Sequence, residues 1–177
     1  MRIRKSIILN KKGLVSTEFA LLLPIMVALW AGIVEFTNMQ NAGRKVNLVA
    51  QSVADIIAGS QAVDTATLNN ILRAGALIMA PYPSNTLAIG IQSIEADGDG
   101  NLSVGWTFGV PGAVPAEATG LARANFSTIH VVVTYTYQPV LGNLIVGFLP
   151  AANIPAFVNM RDEAFAKPRL TTIIPFN

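Results

Sequence analysis

The pattern of apolar and polar residues singles out one long segment near the start of the chain. From Phe19 to Val34, sixteen consecutive residues carry no charge, and the run closes at Glu35-Phe36. With Leu14 to Thr17 included, a helix here has about twenty residues, which at about 1.5 Å per residue crosses a hydrocarbon layer of roughly 30 Å. Pro24 removes one helical hydrogen bond, but membrane helices tolerate proline where neighbouring groups satisfy the backbone. The pattern predicts a transmembrane helix over residues 14–36.

A buried core helix and a cleaved secretory signal peptide are the two alternatives for this segment. A core helix is disfavoured because apolar residues surround the segment on all sides. A signal peptide needs small residues one and three positions before its cleavage site. If cleavage occurred after Ala31, the residue three positions before the cut would be Leu29, which is not small. The apolar run also continues without a break through Ile33-Val34. The membrane helix therefore remains the leading interpretation.

A one-sided pattern follows the apolar run. Val46, Val49, Val53 and Ile56-Ile57 recur at three- and four-residue intervals, as on one face of an amphipathic helix. We therefore expect the membrane helix to continue as a stalk from Thr37 to Ala58 and to end at the Gly-Ser pair that follows. An ordinary core helix separated from the membrane helix by a loop would give the same stripe.

The rest of the chain predicts a second helix and an antiparallel sheet. The helix is expected from about Thr65 to Met79, with Asp64 as its N-cap. Alternating apolar residues predict three or four strands, at Leu87–Ile91, Leu102–Phe108, Ser127–Tyr137 and within Phe157–Leu170. Residues 109–125 are expected to form a loop, and residues 141–148 a helical turn or a packed loop. The predicted fold class is α+β: one N-terminal transmembrane helix continuing into a stalk helix, then a small antiparallel-sheet domain over residues 37–177.

The charge distribution predicts the orientation of the membrane helix. Five of the twelve cationic residues and none of the ten acids precede Gly13, so the segment after Gly13 carries a net charge of −3. The basic character belongs to a short leader, residues 1–13, and does not indicate a nucleic-acid partner. Cations before the helix place the N-terminus in the cytoplasm by the positive-inside rule. Residues 37–177 are then expected outside the cytoplasm.

The alternation of Asp97, Asp99 and Asn101 is the first part of a calcium-loop pattern. The pattern then fails, because Leu102 stands where the loop needs its glycine and Phe108 where it needs its glutamate. With Gly98 and Gly100 between the acids, a glycine-rich turn between two strands is the better interpretation. No metal site is predicted.

No combination of residues predicts catalysis. The chain has no cysteine, and His130 is its only histidine, in the middle of a predicted strand. No Ser or Asp spacing around it suggests a catalytic triad. Asp162 and Glu163 are adjacent and point to opposite faces of any strand, and Arg161 beside them favours a solvated charge cluster. We therefore expect neither enzymatic activity nor a cofactor.

The start of the helix carries the functional signal. A basic leader, Gly13, four residues, Glu18 and an apolar helix together resemble the processing site of type IV prepilins and pseudopilins. The longer string TEFALLLPIMVALWAGIVEF, with its Glu-Phe-Ala, its Leu-Pro and the second Glu-Phe at Glu35-Phe36, resembles the TadE/TadG-like proteins of Tad (Flp) pilus assembly. Leu14 departs from the phenylalanine that is common at the first mature position of type IV pilins.

The resemblance implies a role, a location and partners. It implies a pseudopilin or minor pilin in a bacterial inner membrane, cut between Gly13 and Leu14 by the prepilin peptidase. Its partners would be that peptidase, the membrane, other pilins or pseudopilins and the pilus assembly platform. Glu18 would meet the amino terminus of a neighbouring subunit, and Glu35 is a second candidate assembly residue. The alternative is an uncleaved, membrane-anchored periplasmic scaffold or binding protein.

The predicted orientation can be tested with a reporter fused after Asn177. We expect the reporter to be exported, because the cationic leader precedes the apolar helix. A reporter active only outside the cytoplasm, such as a secreted phosphatase, provides the measurement, and one active only inside provides the control. A cytoplasmic, protease-protected C-terminus would contradict both interpretations of the protein.

Overall fold

A computed structural model of the protein describes residues 11–109, 113–148 and 153–177. Its elements are α1 (Lys11–Ala58), α2 (Thr65–Ile78), β1 (Leu87–Ala96), β2 (Leu102–Phe108), β3 (Ser127–Tyr137), α3 (Gly142–Phe148) and β4 (Val158–Ala166). A long apolar helix is thus followed by a small antiparallel sheet, which confirms the predicted α+β class. The predicted loop over residues 109–125 contains a short 3₁₀ helix, Ala116–Gly120, and three residues, 110–112, that lie outside the described ones.

The chain forms two compact units. The anchor unit consists of the residues up to Met39 together with Gln138–Phe157, and the sheet unit consists of Gln40–Tyr137 and Val158–Asn177. α1 contributes its first part to the anchor unit and its last part to the sheet unit. α3 belongs to the anchor unit, whereas α2 and all four strands belong to the sheet unit.

α1 is one helix of 48 residues that continues through Pro24. The predicted stalk is therefore a direct continuation of the apolar segment, and the alternative with an intervening loop is wrong. The helix ends where predicted, since the N–H groups of Gly59 and Ser60 bond to the last carbonyls of α1. Val46, Val49, Val53 and Ile57 are buried, but Ile56 is half exposed because adjacent helical residues point in different directions.

The four strands form one antiparallel sheet in the order β2-β1-β3-β4. β1 and β3 are central, and most of their side chains are buried. The odd-numbered residues of β3 from Ile129 to Tyr137 are all buried, as the alternation predicted. The register pairs Gln92 of β1 with His130 of β3, and His130 in turn with Phe165 of β4. Residues far apart in the sequence therefore stand side by side on the sheet.

The core of the sheet unit lies where α1, α2 and β1 meet. Asp64 caps α2 as predicted, because its side chain accepts a hydrogen bond of 2.6 Å from the N–H of Thr67. Gly75 of α2 is buried, and a Cβ atom there would lie 3.2 Å from Ile89 Cδ1 and 3.3 Å from side-chain carbons of both Val49 and Val53. The absence of a side chain at Gly75 thus permits the close approach of three elements.

Substituting Gly75 tests this packing. We expect Gly75→Val to destabilise the sheet unit by about 1–3 kcal/mol, because the new methyl groups overpack a filled core. Ala74→Val is the matched control, since Ala74 is exposed and the same change there carries only a helix-propensity cost of about 0.5 kcal/mol. Thermal unfolding of the full chain in mild detergent, followed by near-ultraviolet circular dichroism, compares the two. Equal melting temperatures would contradict the proposed close contact.

Candidate functional site

The first candidate site is the apolar part of α1. Ser16–Ala58 is long and apolar enough to cross a membrane, and only 17% of its most apolar window is buried. The large apolar side chains that are exposed on this part are those of Phe19, Leu21, Leu22, Leu23, Ile25, Met26, Leu29, Trp30 and Ile33. An uncovered apolar surface of this size is unfavourable in water. The helix could therefore span a membrane, as its composition predicted.

Glu18 and Glu35 occupy different environments on this helix. The Glu18 side chain is exposed, and among the described residues no hydrogen bond or ion pair engages it. Glu35 is only 8% exposed, and its carboxylate accepts a hydrogen bond of 2.7 Å from the backbone N–H of Leu141. The seventeen intervening residues separate the two acids by about 25 Å along the helix axis. The structure does not bring them together, and it places Glu35 away from water.

The predicted processing site lies within the described part of α1. α1 is described from Lys11, so Gly13 and Leu14 have helical backbone, and residues 1–10 of the predicted leader lie outside the described residues. Glycine weakens a helix by about 1 kcal/mol relative to alanine. Gly13 therefore makes local unwinding of the helix easier at the predicted cleavage site.

The second candidate site is a polar network on the sheet. His130 is 3% exposed, and its ring stacks on Phe165 with ring centroids 4.5 Å apart. Its Nδ1 lies 2.9 Å from Gln92 Nε2, and its Nε2 lies 2.8 Å from Glu163 Oε2. Glu163 also accepts two hydrogen bonds from Arg161, at 2.6 and 2.9 Å. Glu163 thus forms an ion pair with the exposed Arg161, as a charge cluster requires, and in addition reaches the buried His130, which was not predicted.

The hydrogen bonds assign the protons in this network. The Gln92 side-chain nitrogen is a donor, so His130 Nδ1 accepts from it and a ring proton lies on Nε2. That proton is donated to the Glu163 carboxylate. Partial burial raises the pKa of Glu163, but the hydrogen bonds from Arg161 and His130 outweigh it and hold the pKa below its usual range. Glu163 is therefore a carboxylate at neutral pH.

A cavity of about 330 Å³ lies over this network. Its lining includes Gln92, His130, Arg161, Glu163 and the exposed Glu117. The Gln92 Oε1 atom is buried and has no hydrogen-bond partner among the described residues. The cavity is therefore lined by polar groups that hold one another in place, an arrangement that could bind a small polar ligand. The sequence analysis did not predict this cavity, because its lining residues are brought together by strand pairing and not by a local spacing in the sequence.

The acidic turn between β1 and β2 is closed by its own hydrogen bonds. Asp97 Oδ1 accepts from the N–H groups of Asp99 and Asn101, and Asp97 Oδ2 accepts from the Asn101 side chain at 2.9 Å. These bonds, the one from the Asn101 side chain first, lower the pKa of Asp97. Gly100 has a φ of +85°, which a glycine adopts without strain. The interpretation as a glycine-rich turn is confirmed.

The helix, the sheet and the exposed apolar surface together describe an α+β protein with one candidate membrane helix. A protein-family model described as TadE-like protein matches residues 13–55. This range includes Gly13, Leu14, Glu18 and Glu35, so the resemblance is confirmed for the N-terminal segment. The match suggests a role in Tad pilus assembly, with pilin partners and membrane association. No curated protein and no solved structure matches the chain.

The polar network predicts a pH-dependent contribution of Glu163 to stability. Because the folded-state pKa of Glu163 is lowered, its contribution is complete above the unfolded-state pKa of about 4.3–4.5 and is lost as the pH falls through the folded-state value. We expect Glu163→Gln to destabilise the protein by about 0.5–1 kcal/mol at pH 7 and by less in acid. Melting temperatures between pH 3 and pH 7 measure the difference.

Glu117→Gln is the control for this experiment. Glu117 lines the same cavity but is exposed and has no hydrogen bond or ion pair among the described residues. Its substitution is expected to leave the melting temperature nearly unchanged at every pH. A Glu163→Gln effect that does not vary with pH would contradict the assigned network.

Proposed function

We propose that this protein is a pseudopilin or minor pilin of a Tad (Flp) pilus, anchored in the bacterial inner membrane with its N-terminus in the cytoplasm. The observation that carries the proposal is the family match over residues 13–55, which includes both the proposed cleavage site and the apolar helix. The prepilin peptidase would cut between Gly13 and Leu14. The protein would then act as a structural partner of other pilus subunits, without catalysis of its own.

The environment of Glu18 supports a role in assembly. Its side chain is exposed on a part of α1 that is otherwise apolar, where a carboxylate without a partner is costly in a bilayer. Cleavage after Gly13 would create an ammonium group at Leu14. The same group on a neighbouring subunit would be a partner for Glu18. Such a pair would fix the register between subunits, because a misplaced subunit would leave a charge unpaired in a low-dielectric environment.

Substitutions at Gly13 and Glu18 separate processing from assembly. A bulky residue such as Gly13→Leu should leave the full-length form in the membrane, because it obstructs the peptidase at the bond. Glu18→Ala should still be cut and inserted but should lose association with other pilus subunits. Leaving one charge of a desolvated pair uncompensated costs on the order of 3–5 kcal/mol, enough to abolish a weak contact. N-terminal sequencing and co-purification with pilus components are the two measurements.

Ser16→Ala is the matched control, since Ser16 is exposed in the same part of α1 and carries no charge. It should be cut and should associate as the wild-type protein does. If the wild-type protein retains residues 1–13 in a host with an active prepilin peptidase, the pseudopilin proposal is wrong. If Glu18→Ala associates normally, Glu18 is not an assembly residue.

A permanently anchored binding protein is the second candidate function. One observation favours it: a cavity of about 330 Å³ beside His130, which the polar side chains of Gln92, Arg161 and Glu163 help to line. An uncleaved N-terminus in the processing experiment would make this function the leading one.

A further inference from the structure

A second apolar segment lies far along the chain from the membrane helix. Gln138–Phe157 contains no charged residue in twenty positions, and its polar side chains are those of Gln138, Asn143 and Asn153. Its described parts are residues 138–148, which include α3, and residues 153–157. A surface segment of this length normally carries charge, since charged residues make up about a quarter of an average soluble domain.

This segment belongs to the anchor unit and contacts α1 there. The backbone N–H of Leu141 donates a hydrogen bond of 2.7 Å to the Glu35 carboxylate. Glu35 lies on the same face of α1 as Ala28 and Ala31, which are 2% and 0% exposed. Small side chains permit a close approach of a second element to the helix. The segment thus joins the part of α1 that we assign to the membrane.

The described parts of the segment pack against each other around α3. A Cβ atom at Gly142 would lie 3.3 Å from Ile154 Cγ2 and 3.5 Å from Pro139 Cβ, so residues on both sides of α3 come together. The N–H of Ile145 bonds to the carbonyl of Leu141 in the first turn of α3.

The outward side chains of the segment are apolar. Val140 is 77% exposed, and the other large apolar residues with substantial exposure are Leu144, Val146, Phe148 and Phe157. In the described parts, the buried residues are Gly142 and Ile145. The segment therefore contacts α1 at Glu35 and presents apolar side chains outward.

We propose that the described parts of this segment, residues 138–148 and 153–157, insert into the outer part of the bilayer beside α1 as a second membrane contact. The α1 face from Ala28 to Glu35 spans about 10 Å along the helix, which is comparable with the depth that interfacial helices reach. Glu35 lies at this level of α1, where its carboxylate has little contact with water. The hydrogen bond from the Leu141 N–H group gives that carboxylate a partner. This inference rests on the membrane anchor of the proposed function but does not depend on cleavage or on pilus assembly.

The absence of native cysteine allows a direct test with three single-cysteine variants. Val140→Cys reports on the segment, Leu21→Cys on the membrane helix and Leu77→Cys on the sheet unit. The three native side chains have nearly equal exposure, 77%, 75% and 77%, so differences in accessibility reflect what surrounds the protein. Each full-length variant carries a nitroxide label and is reconstituted sparsely into phospholipid vesicles. Electron paramagnetic resonance then measures collisions with oxygen, which partitions into lipid, and with a water-soluble nickel chelate.

We expect the Val140 label to behave like the Leu21 label, with frequent oxygen collisions. Its nickel collisions should be far fewer than those of the Leu77 label, because the water-soluble chelate does not enter the lipid. Nickel access at Val140 together with protection at Leu21 would overturn this inference and leave the anchor of the proposed function standing. Nickel access at both Val140 and Leu21 would overturn this inference and the membrane anchor of the proposed function together. Protection of Val140 from both reagents would mean that protein, such as a second copy of the chain, covers the segment, and would also overturn the inference.

Discussion

The structure depends on one buried face of α1 whose composition changes along the helix. In the anchor unit this face consists of Ala28, Ala31 and Glu35, and in the sheet unit it consists of alanines together with Val46, Val49, Val53 and Ile57. In water the burial of branched side chains drives packing, at about 25 cal/mol per Å². In lipid that force is absent, and close contact between small residues together with hydrogen bonds replaces it. The two halves of the face match these two environments.

The elements with a regular apolar period could be predicted from the sequence. The continuation of α1 to Ala58, the cap at Asp64 and the strand Ser127–Tyr137 all follow local patterns, and the structure confirms them. Local patterns are sufficient here because helix and strand periods determine which residues can share a buried face. Most of the fold class could therefore be predicted from the sequence.

The contacts that join distant residues could not be predicted. His130 meets Gln92 from 38 positions before it and Glu163 from 33 positions after it, and only the register of three strands determines this. The partner of Glu35 is a backbone N–H from Leu141, 106 residues away, and a backbone group has no signature in the sequence. The sequence analysis singled out Glu35, His130 and Glu163 but not Gln92 or Leu141, because a partner has no signature of its own in the sequence. It therefore named individual residues and could not predict how they are arranged.

The contrast between the two acids of α1 bears on how a filament could select its subunits. Glu35 is engaged within its own chain, so a neighbouring subunit has little to gain by approaching it. Glu18 has no such partner among the described residues, and its carboxylate faces outward. If cleavage exposes an ammonium at Leu14, Glu18 of a neighbouring subunit can pair with it, whereas Glu35 is already held by a backbone N–H group. A subunit out of register would leave both the ammonium and the Glu18 carboxylate uncompensated in a low-dielectric environment. The acid that has no partner among the described residues, and not the engaged one, is therefore the one through which a filament could select a subunit in register.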